Sequence, residues 1–248
     1  MPAPLTLFSL PCAGASSVMY LRWRKRLPSW IQVVPVELPD RGRRLHEAPE
    51  RNLDALAALL CDELGPQLPE RYAIFGHSMG ALLAYRIAHG LRTGSAPLPV
   101  ALAVSACVAP SLQDWKRYAD KTTQASLVAE LRKQNGTPEE VFESPELLAM
   151  TLDLLGADYG ACASFRYQRL LPLPFPIHVF GGREDEIHSD KLDAWREEST
   201  VGTSVDWLDG GHFFLRRNEN AFLSVLVKRL AERRTKSSNR PNAAFSSA

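Results

Sequence analysis

The chain has 248 residues, of which 45% are hydrophobic and 23% are charged, and its formal net charge is +1. This composition is typical of a globular protein with one large domain, and a net charge so close to zero argues against nucleic acid as a partner. No apolar stretch approaches a membrane span, and the four cysteines and six histidines lack paired metal-ligand spacing. We expect a cytoplasmic monomer with no membrane association, no metal and no other cofactor.

Short apolar segments alternate with amphipathic helical patterns along the chain. The predicted strands cover residues 5–10, 32–36, 72–75, 100–105, 177–180 and 204–208, and the clearest helices cover residues 53–64, 79–91 and 219–233. Strands that alternate with helices indicate an α/β protein with a mostly parallel central sheet flanked by helices. We predict one domain over residues 1–234, followed at residues 235–248 by a disordered tail that is polar and basic.

The third predicted strand leads into the sequence Gly76-His77-Ser78-Met79-Gly80 and then into a helix. A G-x-S-x-G segment between a strand and a helix is typical of a nucleophile elbow, which holds its serine in a strained conformation with the hydroxyl exposed. Small residues on both sides of the turn allow the strand and the helix to approach closely. Ser78 is therefore the candidate nucleophile, and an ordinary tight turn is the alternative interpretation.

Residues 111–160 contain no convincing strand and read as two or three helices. Pro138 and Pro145 stand where a first helical turn begins, and Ser144 precedes the second of them as a capping residue. A helical insertion after a strand of an α/β sheet is a natural lid over an active site. The alternative is that these helices only extend the core.

A serine hydroxyl is a weak nucleophile, so Ser78 needs a histidine to accept its proton and a carboxylate to fix the tautomer of that histidine. Asp185 follows the strand at 177–180 and His212 follows the strand at 204–208, which places both at the edge where parallel sheets bind ligands. The order serine, acid, histidine is that of α/β-hydrolases. We predict the triad Ser78, Asp185 and His212. The rival acids are Glu184, Asp190 and Asp209, and the rival bases are His77 and His188.

The oxyanion of the reaction needs two backbone N–H donors, one after the nucleophile and one in the loop after the first strand. Met79 supplies the first donor. We expect the second from Ala13, with Gly14 as the next candidate. Cys12 stands beside the predicted oxyanion donors, and we expect it to be a small packing residue that takes no part in the reaction.

The segments LPCAGAS, GHSMGALLAY, GGREDE and GGHFFL together resemble the stand-alone type II thioesterases of nonribosomal peptide and polyketide biosynthesis. The resemblance extends from Leu7 to about Leu230. Family members usually carry A-G-G where this chain has Ala13-Gly14-Ala15, and an arginine where Gly156 stands before Ala-Asp. The two differences fall on the oxyanion loop and on contacts under the lid.

The resemblance implies an α/β-hydrolase fold with a helical lid at about residues 111–160. It implies hydrolysis of acyl or aminoacyl thioesters from phosphopantetheinyl carrier proteins, through an acyl-Ser78 intermediate, to clear stalled synthetase modules. Carrier proteins are typically acidic, so Arg41, Arg43 and Arg44 are candidate contacts to the carrier or its arm. The lid side chains expected to shape the acyl pocket are Trp115, Leu148, Leu152 and Tyr159.

Three other functions remain open from the sequence. The first is a general esterase or small peptidase that acts on free substrates. The second is a binding protein that keeps the fold without catalysis, although the intact set of Ser78, Asp185 and His212 argues against it. The third is a cyclising thioesterase, a kind of domain that is usually fused to a synthetase.

Overall fold

The computed structural model describes residues 4–94 and 96–237, with side chains up to residue 231. Its centre is a sheet of six strands in the order β2-β1-β3-β4-β5-β6, and every neighbouring pair is parallel. The strands are β1 (Leu5–Leu10), β2 (Ile31–Pro35), β3 (Tyr72–His77), β4 (Ala101–Ser105), β5 (Ile177–Gly182) and β6 (Thr203–Leu208). The predicted α/β sheet is confirmed, and each predicted strand lies within two residues of the observed bounds.

Ten α-helices connect or follow the strands within the described residues. They are α1 (Trp23–Arg26), α2 (Leu53–Leu64), α3 (Met79–Thr93), α4 (Lys116–Ala119), α5 (Gln124–Gln134), α6 (Glu139–Glu143), α7 (Pro145–Ser164), α8 (Ser189–Asp193), α9 (Phe214–Arg217) and α10 (Glu219–Ser237). Because α10 continues to Ser237, the first three residues of the predicted tail are helical, which corrects its start. Residues 238–248 of that tail lie outside the described residues.

The central strands β1, β3, β4 and β5 are buried along their whole length. Helices cover both faces, so these strands need apolar residues at nearly every position, which explains their continuous apolar sequences. On one face, Trp23 of α1 and Phe222 of α10 pack against Phe75 with ring centroids 5.1 and 5.6 Å apart. The other face packs against α2 and α3. Packing on both faces holds the sheet in place, and the loops that follow the strands lie at its carboxyl edge.

Helices α4 to α7, which we call the helical insertion, lie between β4 and β5. They have a small apolar cluster of their own, which contains Leu127, Leu131, Leu152, Leu155 and Tyr159. The predicted helical character of residues 111–160 is observed, with the last helix continuing to Ser164. Within the part of the chain that the structure describes, no helix has the length and apolar character needed to cross a membrane.

Candidate active site

Ser78 lies at the corner between β3 and α3 with backbone angles φ 54° and ψ −117°. A non-glycine residue in this region of conformational space is strained and persists only where its surroundings hold it. The Ser78 N–H donates to the Ser105 carbonyl oxygen at 2.8 Å, and the Ser78 carbonyl oxygen accepts from the Ala81 N–H at 3.0 Å. The strained turn is therefore held on one side by the sheet and on the other by the first turn of α3.

Gly76 explains how the strand and the helix of this corner come so close together. A Cβ atom at Gly76 would overlap the carbonyl group of Gly80 and the backbone nitrogen of Ala81. Only glycine leaves that space empty. The sequence-based expectation of a small residue before the serine thus has a steric basis in the structure.

Asp185 and His212 meet at the carboxyl edge of the sheet, with the His212 Nδ1 atom 3.0 Å from the Asp185 Oδ2 atom. The second Asp185 oxygen accepts the Glu186 N–H at 2.8 Å, and the Asp185 side chain is only 7% exposed. A carboxylate at Nδ1 fixes the tautomer that leaves Nε2 free to accept a proton. This geometry supports Asp185 as the acid and His212 as the base.

Backbone contacts hold the acid loop against the histidine loop. The Arg183 N–H donates to the Leu208 carbonyl at 2.8 Å, and the Glu184 N–H donates to the Gly210 carbonyl at 3.0 Å. A Cβ atom at Gly182 would lie 2.5 Å from the Gly210 oxygen, so the close approach requires glycine there. The distance between acid and base is therefore determined by the sheet.

The rival residues are placed differently. Glu184, Asp190 and Asp209 are exposed, and Asp209 faces Arg183 with a 3.1 Å separation between Oδ1 and Nε. His77 is fully buried, and its Nδ1 atom lies 3.0 Å from the Ser105 hydroxyl. Burial, together with the positive charges of its neighbours, lowers the pKa of His77 well below its usual range. The His77 and His212 ring centroids are 5.2 Å apart, and a neutral His77 ring does not compete with His212 for a proton.

The loop after β1 is anchored by a buried carboxylate of the helical insertion. The Gly14 N–H donates to Asp158 Oδ2 at 2.7 Å, so this donor is already engaged and Ala13 remains the candidate for the oxyanion. Arg41 also donates to Asp158, with its Nη1 and Nη2 atoms 2.8 and 2.7 Å from the two carboxylate oxygens. A third Arg41 bond, from Nη1 to the Ala15 carbonyl at 3.0 Å, returns to the same loop. Asp158 and Arg41 thus clamp the predicted oxyanion loop.

The three predicted arginine contacts have different surroundings. Arg41 is 5% exposed and its charge is matched by Asp158, so it does not present a free cation to a partner. Arg44 forms ion pairs with Glu47 and Glu63 at 2.6 and 2.8 Å. Only Arg43 is an exposed side chain that remains a candidate contact. The three arginines are neighbours in the sequence, and the sequence alone does not show that Arg41 and Arg44 each face an acid.

A cavity of about 590 Å³ separates the sheet edge from the helical insertion. Ser78, Met79, Ala13, Asp185 and His212 all line it. The predicted triad and oxyanion residues therefore surround one space, which is the arrangement that acyl transfer requires.

The wall that the helical insertion contributes to this cavity is polar. Glu130 forms an ion pair with Lys121 and accepts a bond from Gln134 Nε2 at 2.8 Å, and Gln134 also donates to the Tyr159 hydroxyl at 3.0 Å. Burial opposes ionisation of Glu130, but the bonds from Lys121 and Gln134 lower its pKa below the usual value. The cavity accordingly offers charged and hydrogen-bonding groups as well as apolar ones.

The expected pocket residues are only partly on the cavity wall. Tyr159 lines the cavity, whereas Leu148 and Leu152 pack in the apolar cluster of the helical insertion. The Arg166 guanidinium lies over the Trp115 ring, with 4.1 Å between the guanidinium carbon and the ring centroid. The sequence showed amphipathic helices but not the direction in which each apolar stripe faces.

Two further positions of the candidate site are not predicted from the sequence. Asp158 was noted only as part of a motif, and its contact with the oxyanion loop spans 144 residues of sequence. Arg217 lines the cavity just after the histidine loop and was not singled out. The doublet Arg216-Arg217 directly after GGHFFL was a visible signal for a positive charge near the site.

A parallel six-stranded sheet flanked by helices, with a strained serine after its third strand, is the architecture of the α/β-hydrolases. A family model described as thioesterase domain matches residues 5–230. The chain belongs to the thioesterase family and is an enzyme of the thioester hydrolase class, so the predicted family resemblance is confirmed.

Relatives and solved structures agree with this family. The gramicidin S biosynthesis protein GrsT of Aneurinibacillus migulanus is 34% identical over 229 residues, which cover 92% of this chain and 90% of GrsT. RedJ, a thioesterase from the prodiginine pathway in Streptomyces coelicolor, has a TM-score of 0.85 and 34% identity, with 92% and 91% of the two chains covered. BorB, a type II thioesterase from the borrelidin cluster, has a TM-score of 0.84 and 34% identity, with 93% and 94% covered.

Proposed function

We propose that this thioesterase removes acyl or aminoacyl groups from phosphopantetheinyl carrier domains of a peptide or polyketide synthetase, and so regenerates stalled modules. The observation that carries the proposal is the Asp185–His212 pair, which lines the same cavity as the strained Ser78. The relatives named above come from biosynthetic pathways of this kind. Carrier domains are the partners that such pathways provide.

In the proposed reaction, the Ser78 Oγ atom attacks the thioester carbonyl carbon while its proton passes to Nε2 of His212. The N–H groups of Met79 and Ala13 donate to the oxyanion of the tetrahedral intermediate. When this intermediate collapses, the C–S bond breaks and the pantetheine sulfur takes the proton from His212. Water then attacks the acyl-serine, gives a proton to His212 and releases the acid, and the proton returns to Ser78.

A thioester suits this site because a thiolate is a better leaving group than an alkoxide or an amine. The arm of a carrier also brings its acyl group to the cavity as a flexible extension. Glu130, Gln134 and Tyr159 form a polar part of the cavity wall, which favours substrates whose acyl groups carry amino or hydroxyl substituents. We further propose that the protein acts as a monomer in the cytoplasm, without nucleic-acid partners.

The test is mass spectrometry of a panel of acylated and aminoacylated carrier domains before and after incubation with the enzyme. We expect wild-type enzyme to return the carriers to the free-thiol form, and Ser78→Ala to lose at least about 10³-fold in kcat/KM. A serine-directed phosphonate should label Ser78 in the wild type and not in this variant. A strong preference for simple free esters over carrier thioesters would overturn the proposal and favour a general esterase.

A further inference from the structure

A second concave surface lies next to the cavity, where α1 meets the segment from α9 to the start of α10. It is a cleft of about 360 Å³, lined by Arg22, Arg26, Arg216, Arg217 and residues 218–221, and we call it the arginine cleft. All four arginines are exposed to solvent. Arg22 and Arg26 are about 190 residues from Arg216 and Arg217 in the sequence, so only the folded chain brings the four side chains together.

The arginine cleft concentrates positive charge. Its lining holds four arginines and one acid, Glu219, which leaves a formal charge of +3, whereas the whole chain carries +1. Glu219 is paired with Arg26 at 2.5 Å and with Arg22 at 3.5 Å, so it offsets only part of this charge. Positive charge in such excess over the rest of the molecule attracts and orients an acidic partner.

The arginine cleft is continuous with the candidate active site. Arg217 lines both the cleft and the catalytic cavity. Arg216 is fixed by a bond from Nη1 to the Gly136 carbonyl at 2.7 Å and by its position 4.8 Å over the Phe213 ring, which follows His212 directly. A partner held in the cleft would therefore stand beside the cavity that Ser78 and His212 line.

We infer that the arginine cleft is the docking surface for the acidic face of the carrier domain whose arm enters the cavity. This inference rests on the proposed function. The guanidinium groups come from both α1 and α9, and Arg22 is 70% exposed, which suits a broad protein face better than a single small anion. The proposed basic contact surface therefore does not include Arg41 and Arg44, whose charges are matched by acids within the chain.

The experiment compares three thioesters of the same acyl group: the acylated carrier domain, the acylated phosphopantetheine arm alone, and an N-acetylcysteamine thioester that lacks the phosphate. The variant is Arg22→Glu/Arg26→Glu. Because the Glu219 side chain is only 12% exposed and loses both of its cationic partners, we expect some loss of folding stability, which a ratio of two substrates on the same variant cancels. The matched control is Arg169→Glu/Lys228→Glu, which reverses two charges at exposed residues outside the arginine cleft, with thermal unfolding measured for every variant.

We expect the ratio of kcat/KM on the carrier to kcat/KM on the arm alone to fall at least about tenfold in the double variant, mostly through KM. The control should keep this ratio within about twofold. Added salt should raise KM for the carrier in the wild type and have less effect in the double variant, because exposed charges are screened.

Three outcomes would overturn the inference. An equal loss of kcat/KM on the carrier and on the phosphopantetheine arm would mean that the cleft binds the phosphate and not the protein face. Unchanged kcat/KM on both substrates in the double variant would mean that the carrier docks elsewhere. If the wild type acts on the N-acetylcysteamine thioester but on no carrier thioester, the proposed function itself fails, and the docking surface fails with it.

Discussion

The sheet edge that carries the candidate triad and the helical insertion that faces it are held in different ways. Ser78, Asp185 and His212 sit on turns that backbone hydrogen bonds connect to neighbouring strands. The helical insertion packs around its own apolar cluster, joins the main core through Ala161 and Cys162 of α7, and also meets the edge through polar contacts. Among these are the Asp158–Arg41 ion pair and a 2.8 Å ion pair between Lys133 and Glu186.

This difference indicates a division of labour between the two regions. Apolar packing and backbone ladders cannot be exchanged for water without large cost, so the chemical groups stay in place. Exposed ion pairs contribute little to stability and exchange readily with water, so the Lys133–Glu186 contact between α5 and the acid loop is suited to opening. Asp158 is the exception, because it is buried and joins the insertion to the oxyanion loop.

The largest effect should come from the sheet edge. Asp185→Asn removes the carboxylate that orients His212, so the imidazole loses its fixed tautomer and kcat should fall on the order of 10⁴-fold while the fold is kept. Steady-state kinetics on a small thioester, with circular dichroism, measure both effects. Asp190→Asn, an exposed acid from the next helix, is the control and should stay within about twofold; near-normal turnover of Asp185→Asn would remove that residue from the triad.

A smaller effect should follow from the buried ion pair that joins the regions. Asp158→Asn weakens the acceptor of the Gly14 N–H, so the loop that carries Ala13 shifts and kcat should fall about 10- to 100-fold with KM changed much less. Stability should also fall, by about 3–5 kcal/mol, because Arg41 stays buried without its counter-charge. Thermal unfolding and kinetics well below the midpoint separate the two effects.

A second variant keeps that test decisive. Arg41→Met/Asp158→Leu removes both buried charges, so much of the stability should return while kcat stays low, since Gly14 still lacks its acceptor. Asp153→Asn, an exposed acid on the same helix α7, serves as the control. Recovery of kcat together with stability would show that Asp158 acts only through folding.

The smallest effect should be at Cys12, which lies where the two regions meet. Burial raises the pKa of its thiol to about 11, against a smaller lowering by Arg216. A raised pKa leaves the thiol neutral at pH 8, so iodoacetamide labelling should be slow there and should accelerate only as the pH approaches 11, as followed by mass spectrometry. Cys12→Ala should keep kcat/KM within about threefold; a large loss would give the thiol a chemical role.

Much of the fold and the core of the candidate site were visible in the sequence. The strands could be found because a buried parallel strand is apolar along its whole length, and the elbow because Gly76 and Ser78 must stand at fixed spacing around one turn. Asp185 and His212 could be predicted because each follows an apolar strand, and the ends of parallel strands share one edge. These signals are local, so a single sequence carries them.

The partners of the charged residues could not be predicted in the same way. Arg41, Arg43 and Arg44 look alike in the sequence, yet one is buried against an acid 117 positions away, one is exposed and one is paired with neighbouring glutamates. An arginine has no periodic pattern that reveals the charge it faces. Its surroundings depend on which distant segments the packing brings together.

The sequence by itself therefore determined the sheet, the strained serine and the order of the candidate triad residues, because hydrophobic periodicity and turn chemistry act over a few residues. Only the tertiary structure decided that Asp158 reaches the oxyanion loop and that α1 and α9 join their arginines in one cleft. Those contacts link segments more than 100 residues apart, and the strength of an electrostatic interaction is set by distance and burial in the folded chain.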